Sequence, residues 1–170
     1  NVFDGQVQIG GGEGWGTGHP GASGTFYTED NYGAGYITLT IDNSGKEMPY
    51  DNSDVGDWGV PTTTDQAKTW IPFPPAGGPA LAKNANGETP GYIFDRLTVR
   101  GGGQLAMEAH PKNQTLLIEV VEFVGSDNSD QVDYGWFHVA PFQTLAIKKS
   151  DFVLKAHARV YTGGELRLPA

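Results

Sequence analysis

The sequence predicts an all-β fold: a single-domain antiparallel β-sandwich, jelly-roll-like, with about eight to ten strands. Apolar and polar residues alternate with a period of two in many short segments, which is the pattern of a half-buried strand. The chain also holds 25 glycines and 11 prolines among its 170 residues. This composition favours turns and long loops between strands. No segment shows a convincing helical periodicity.

The strands are predicted wherever this alternation persists over several residues. In the first half it is seen from Phe3 to Ile9 and from Tyr36 to Ile41. The second half is denser, and the run from Leu116 to Val124 is apolar on both faces, as in a central strand. Near position 95, Ile93 and Leu97 are predicted to face the core together. Further strands are predicted at 70–73, 93–99, 104–109, 134–139, 143–147, 151–161 and 165–168.

The chain is interpreted as one domain covering residues 1–170. Residues 1–12 are a candidate N-terminal arm or exchanged strand, because an unpaired strand readily pairs with a neighbouring copy. Residues 42–91 form a long irregular excursion, where prolines and Asp/Asn turn clusters interrupt the alternation. The first residue is Asn1, which suggests removal of a leader, maturation cleavage or a trimmed chain.

The charge and the composition exclude several classes of partner. The chain has 11 Lys and Arg against 20 Asp and Glu, a net charge of −9 that repels phosphate backbones. Nucleic acid is therefore not an expected partner. No apolar run approaches the length of a membrane span, and the absence of cysteine excludes disulfides and thiolate chemistry. The acidic balance suits an extracellular or virion location.

No catalytic motif stands out, so we predict that the chain is not an enzyme. The Gly-x-Ser-x-Gly motif of serine hydrolases is absent. The segment from Gly16 to Gly21 matches the letters of a dinucleotide fingerprint, but Pro20 and Gly24 prevent the helix that must follow it. No His-x-His pair, as expected of a metal site on one strand, occurs among His19, His110, His138 and His157.

Two acidic clusters are candidate calcium loops, although no cofactor is certain. Carboxylates in turns supply the oxygen ligands that Ca²⁺ prefers. Neither cluster is an EF-hand, because Val55 and Thr62 stand at ligand positions when the first cluster is aligned to that motif. The alternative is that these are solvated turn residues. The candidate ligands are Asp51, Asp54 and Asp57 in one cluster and Asp127, Asp130 and Asp133 in the other.

Two tryptophans in polar, glycine-rich loops are candidate ligand-binding residues. Trp15 lies between two glycines, and Trp58 lies between Asp57 and Gly59. An exposed indole beside carboxylates binds sugars by stacking on the apolar face of the ring. The same side chains could anchor a protein interface or cover the ends of the core, and that interpretation is preferred. One glycosylation sequon begins at Asn113.

Two hypotheses for the function follow. The first is a non-enzymatic structural subunit that assembles with copies of itself or related subunits into a virion shell, as a capsid or decoration protein, or into an extracellular filament. The lack of catalytic groups and the 42–91 excursion favour it. The alternative is a lectin-like carbohydrate-binding module that binds glycans through Trp15 or Trp58, with calcium assisting.

Overall fold

The computed structural model shows a molecule built from β-strands in two sheets. Among the described residues there is no helix that is long and apolar enough to cross a membrane. The structure describes residues 23–30, 36–45, 68–75, 81–107, 114–125, 135–149 and 158–169.

Ten strands occur in this part of the chain, and all of them are between three and nine residues long. In chain order they are β1 (Gly24–Asp30), β2 (Tyr36–Asp42), β3 (Thr69–Ile71), β4 (Tyr92–Arg100), β5 (Gln104–Met107), β6 (Leu116–Val124), β7 (Gly135–Val139), β8 (Gln143–Ile147), β9 (Ala158–Thr162) and β10 (Glu165–Arg167).

From β2 onward the chain alternates between the two sheets. The six-stranded sheet has the order β1-β2-β4-β6-β8-β10, and the four-stranded sheet has the order β3-β5-β7-β9. Every neighbouring pair is parallel except β1 and β2, which are antiparallel. Each further coil of the chain therefore adds one strand to each sheet, which is the arrangement of a two-sheet β-solenoid.

The predicted antiparallel jelly-roll sandwich is therefore wrong. Consecutive strands are joined by short turns at 101–103, 140–142 and 163–164. Short Gly-containing turns of this kind usually close hairpins between antiparallel neighbours. Here each turn is a corner that carries the chain from one sheet to the other. Parallel neighbours are separated by a whole coil of about 22 to 27 residues, since β4, β6, β8 and β10 begin at 92, 116, 143 and 165.

The core lies between the inner faces of the two sheets. Successive strands pair in register, so that apolar side chains at equivalent positions stack in columns through the solenoid. These columns exclude water along the length of the stack, which stabilises each coil through its neighbours. The columns include Tyr92, Ile118, Leu145 and Leu166 in the six-stranded sheet and Leu105, Phe137 and Val160 in the four-stranded sheet.

In two strands of the six-stranded sheet, the alternation of buried and exposed residues shifts by one residue, and it does so at equivalent positions. In β4 the buried residues Phe94 and Leu97 are three apart, and in β6 Val120 and Phe123 have the same spacing. A regular strand would bury residues two apart. As a result Ile93, predicted to face the core, is 36% exposed, while Phe94 is buried in its place.

Two corners of successive coils approach each other closely, the one between β7 and β8 and the one between β9 and β10. The backbone N–H groups of Gly163 and Gly164 both donate to the carbonyl of Val139, at 2.9 and 3.3 Å. A Cβ on Gly164 would lie 2.3 Å from the carbonyl oxygens of Ala140 and Gln143. Only glycine fits at position 164, and the contact of Gly164 with residues 140–143 fixes the position of that turn.

Candidate functional site

An open cleft lies where the strands of the six-stranded sheet begin, beside the 81–91 loop. Its volume is about 560 Å³. The first residues of β6, β8 and β10 form one side, and Glu88 and Thr89 of the loop form the other. Concave sites with a few converging polar groups are typical ligand-binding sites. The polar groups here belong to Glu88, Gln143, Thr144, Glu165 and Arg167.

The 81–91 loop is held against the sheet by Asn84. The Asn84 Oδ1 atom accepts hydrogen bonds from the backbone N–H groups of Asn86 and Glu88, both at 2.9 Å, which closes an Asx turn. Its Nδ2 atom donates to Glu119 Oε1 on β6 at 2.7 Å and to Glu88 Oε2 at 3.2 Å. Glu119 is buried and also pairs with Lys148 at 2.8 Å. One amide therefore fixes both the loop and the Glu88 carboxylate.

Arg167 bridges two carboxylates across the cleft. Its Nη1 donates to Glu88 Oε2 at 2.7 Å and its Nη2 donates to Glu165 Oε2 at 2.8 Å. Thr144 Oγ1 also donates to Glu165 Oε2, at 3.2 Å. Because β8 and β10 are parallel and in register, Thr144 stands opposite Glu165. The result is a row of fixed donors and acceptors along the cleft.

The hydrogen bonds from Arg167 keep both carboxylates ionised. They lower the pKa of Glu88, with a further contribution from Asn84, and they lower the pKa of Glu165. The pKa of Arg167 is raised by the same contacts with Glu165 and Glu88. A glycosidase needs one carboxyl group with a raised pKa to protonate the leaving group. This pair supplies no such acid, and its chemistry is that of hydrogen-bond acceptance.

Phe142 stands at the edge of the cleft in an unusual backbone conformation. Its φ is 64°, a left-handed value that is an outlier for a bulky side chain and costs about 1 kcal/mol or more. Its side chain lines the cleft and is 57% exposed. The turn is closed by the hydrogen bond from Gln143 N to the carbonyl of Ala140 at 3.1 Å. Such strain persists mainly at binding and catalytic sites.

Gln143 also lines the cleft, and its side chain is buried. Its side chain is 1% exposed, and Nε2 donates to the carbonyl of Gln114 at 3.1 Å. The Oε1 atom has no hydrogen-bond partner among the residues that the structure describes. A buried acceptor left in this state costs about 1–3 kcal/mol.

The site residues predicted from the sequence all lie in parts of the chain that the structure does not describe. Trp15 and Trp58 lie outside the described residues. So do the six aspartates of the predicted calcium loops, and no metal-binding group of three His, Asp or Glu occurs in the part of the chain that is described. His138 is on β7 and is 3% exposed. Burial, and next the charge of Lys68, lowers the pKa of His138 to about 4, so its ring is neutral at pH 7.

None of the residues that line the cleft was predicted from the sequence to be a site residue. Glu88 and Arg167 are far apart in the chain and meet only because the loop folds back over β10. The one local signal was Pro141-Phe142, an aromatic residue directly after a turn-forming proline. Trp15 and Trp58 were selected on a different signal, their position in polar, glycine-rich loops.

Comparison with known proteins yields no match. No protein-family model matches the chain, and no curated protein or solved structure is significantly similar to it.

Proposed function

We propose that this chain is a carbohydrate-binding β-solenoid module that holds a neutral glycan in the cleft beside the 81–91 loop. The observation that carries the proposal is Phe142, a strained and exposed aromatic side chain at the edge of a row of polar groups. An aromatic face stacks on the apolar C–H face of a sugar ring. The strain is explained if the ring is held in place for a ligand.

The polar groups of the cleft match the hydroxyl groups of a sugar. A hydroxyl both donates and accepts hydrogen bonds. Glu88 and Glu165 offer carboxylate acceptors, and Arg167 offers guanidinium donors. Because these groups are fixed by one another, little side-chain entropy is lost when a ligand binds. This combination supports a hydroxyl-rich ligand over an apolar one.

The charge of the cleft favours neutral sugars over acidic ones. Among the described residues of the cleft two carboxylates face one guanidinium, which is a negative excess, and the whole chain carries a net charge of −9. Sugars that carry carboxylate or sulfate groups would be repelled. We therefore expect uronic acids, sialic acids and sulfated glycans to bind weakly or not at all.

A glycan array tests this proposal directly. We expect binding to neutral glycans and not to acidic ones. In calorimetry with an array-positive glycan, Phe142→Ala should weaken the Kd by about tenfold or more, which is about 1.4 kcal/mol. The matched control is Phe26→Ala, an exposed phenylalanine on β1 that does not line the cleft. A blank array, or a Phe142→Ala variant that binds like the wild type, would contradict the proposal.

Self-assembly is a second candidate function, and the edges of the six-stranded sheet favour it. Within the described residues β1 and β10 are its edge strands. Phe26 and Tyr27 on β1 are exposed, as is Leu168 after β10. Edge strands with exposed apolar side chains promote edge-to-edge pairing, and solenoids stack through their ends. Stacked copies would suit a virion shell or an extracellular filament.

Light scattering coupled to size exclusion tests the assembly. If the edges associate, the mass should rise with protein concentration. Tyr27→Lys should reduce that rise, because a lysine on an edge strand opposes pairing. Tyr36→Lys is the control, since Tyr36 is exposed on the inner neighbour β2. A monomer at every concentration would contradict this candidate.

A further inference from the structure

We infer that the cleft is one part of a longer groove, and that its ligand is a linear oligosaccharide of about three units lying across the strands. The inference rests on the proposed carbohydrate binding and specifies the substrate class of the same site. Three observations support it: a second cavity, the position of that cavity along the solenoid and the residues that line it.

A second cavity of about 260 Å³ adjoins the cleft. The two cavities have four lining residues in common, which are Thr89, Thr115, Leu116 and Leu117. The shared residues lie at the start of β6 and in the loop above it. A molecule that leaves one cavity along this side of the sheet enters the other.

The two cavities follow the axis of the solenoid. The second cavity contains Gly91, just before β4, and the cleft contains Gln143 and Glu165, the first residues of β8 and β10. From β4 to β10 there are three inter-strand spacings, or about 14–15 Å. That length is spanned by about three linked pyranose rings and not by one.

The chemistry of the groove changes from one end to the other. At the β10 end, Glu88, Glu165 and Arg167 bring charged groups to the ligand. At the β4 end the described lining includes Phe73, Pro74 and Leu81, and none of its described residues carries a charge. The sugar at the β10 end should therefore present free hydroxyls. The sugar at the β4 end should present an apolar face or substituent, such as a methyl or acetyl group.

Calorimetry with homologous oligosaccharides tests the length of the groove. The probes are glucose and N-acetylglucosamine oligomers of one to six units, with β-1,4 linkage and, for glucose, also α-1,4 linkage. We expect the Kd of the series that binds to fall about tenfold from one unit to three and then to level off. A monomer that binds as tightly as the hexamer overturns the groove but leaves the proposed function intact. No binding of any series, together with a blank array, overturns the proposed function itself.

Two matched variants locate the apolar end. Leu81→Ser should weaken the Kd of the trisaccharide by about fivefold and leave that of the monosaccharide unchanged. Ile93→Ser is the control, because Ile93 is 36% exposed, Leu81 is 37% exposed, and Ile93 lines neither cavity. Phe142→Ala should weaken both ligands. Equal effects of Leu81→Ser on the two ligands, or no effect on either, would overturn the inference.

Discussion

Phe142 combines a strained backbone with a side chain that contributes little to the core. Its left-handed φ of 64° is unfavourable for phenylalanine but easy for glycine, and most of its ring is in contact with solvent. Because of these two properties, a substitution of Phe142 is expected to affect ligand binding without affecting the stability of the fold. A residue retained for the core would show the opposite pattern, a relaxed backbone and a buried ring.

The variant Phe142→Gly should therefore lose sugar binding without losing stability. Relief of the strain offsets the greater flexibility of glycine in the unfolded chain, so the free energy of unfolding should change by less than about 1 kcal/mol. Urea denaturation measures the stability, and calorimetry measures the binding. Phe26→Gly, in strand β1, should lower stability by about 1 kcal/mol and leave binding unchanged. A Phe142→Gly variant destabilised by several kcal/mol would show that the ring supports the core instead.

His138 makes the stability depend on pH. Its pKa in the folded protein is about 4, below the ordinary value of 6.5, because the ring is buried. Between these two values the unfolded chain binds a proton that the folded chain does not. The free energy of unfolding should therefore fall as the pH falls from 6.5 to 4, by about 3 kcal/mol in total.

The variant His138→Gln isolates this contribution. Glu88 and Glu165 also lose stabilising charge as the pH falls, since their pKa values are lowered, but they do so equally in both proteins. We expect urea denaturation between pH 4 and 6.5 to give a shallower dependence on pH for the variant. Identical slopes in the two proteins would mean that His138 is protonated in the folded state.

At the scale of single residues, the sequence predicts burial better than it predicts the site. The inward position of Leu97, for example, was correctly identified from alternation. The prediction that Ile93 faces the core was wrong because the alternation shifts by one residue at Asp95. The carboxylate of Asp95 accepts a hydrogen bond from the backbone N–H of Ile37. The cleft was missed because its residues come from separate coils and share no local motif.

At the scale of elements, the strands were predicted well and their partners were not. The predicted strands 116–124 and 143–147 have the bounds of β6 and β8. A period of two shows that a segment is a strand, but it does not show which strand pairs with it. The strand β1 was missed because three consecutive residues, Thr25 to Tyr27, are exposed, and no alternation marks them.

The corners depend on close backbone approach, which gives a prediction for Gly135. A Cβ at this first residue of β7 would lie 1.7 Å from the carbonyl oxygen of Val99 in the other sheet. Gly135→Ala should therefore lower the free energy of unfolding by about 3 kcal/mol or more. Gly87→Ala is the control, because no atom lies within 4 Å of its Cβ position, and its φ of 78° should cost about 1 kcal/mol. Equal costs in urea denaturation would contradict the packing of these corners.

At the scale of the whole molecule, the connection between the sheets decides the fold. The same short turns close hairpins in a sandwich and corners in a solenoid, so local turn chemistry does not distinguish the two. The coils differ in length, with β4, β6, β8 and β10 beginning at unequal intervals, so no fixed repeat was visible in the sequence. The parallel stack became evident only from the register of the strands.

Infrared spectroscopy distinguishes the parallel stack from an antiparallel sandwich. Within the described residues only β1 and β2 form an antiparallel pair. The high-frequency amide I component that marks antiparallel sheets should therefore be weak relative to the main sheet band. A strong component of this kind would contradict the solenoid and favour the sandwich predicted from the sequence.

The central claim, that the cleft beside the 81–91 loop binds a glycan, is tested most directly by NMR. A labelled sample is titrated with a neutral glycan selected on the array, and backbone amide shifts are followed. We predict that the largest changes occur at residues 88–91, 115–117, 142–144 and 163–167, which line the cleft and its extension. Changes confined to the surroundings of Trp15 and Trp58 would contradict the claim and return the binding site to the tryptophan loops indicated by the sequence.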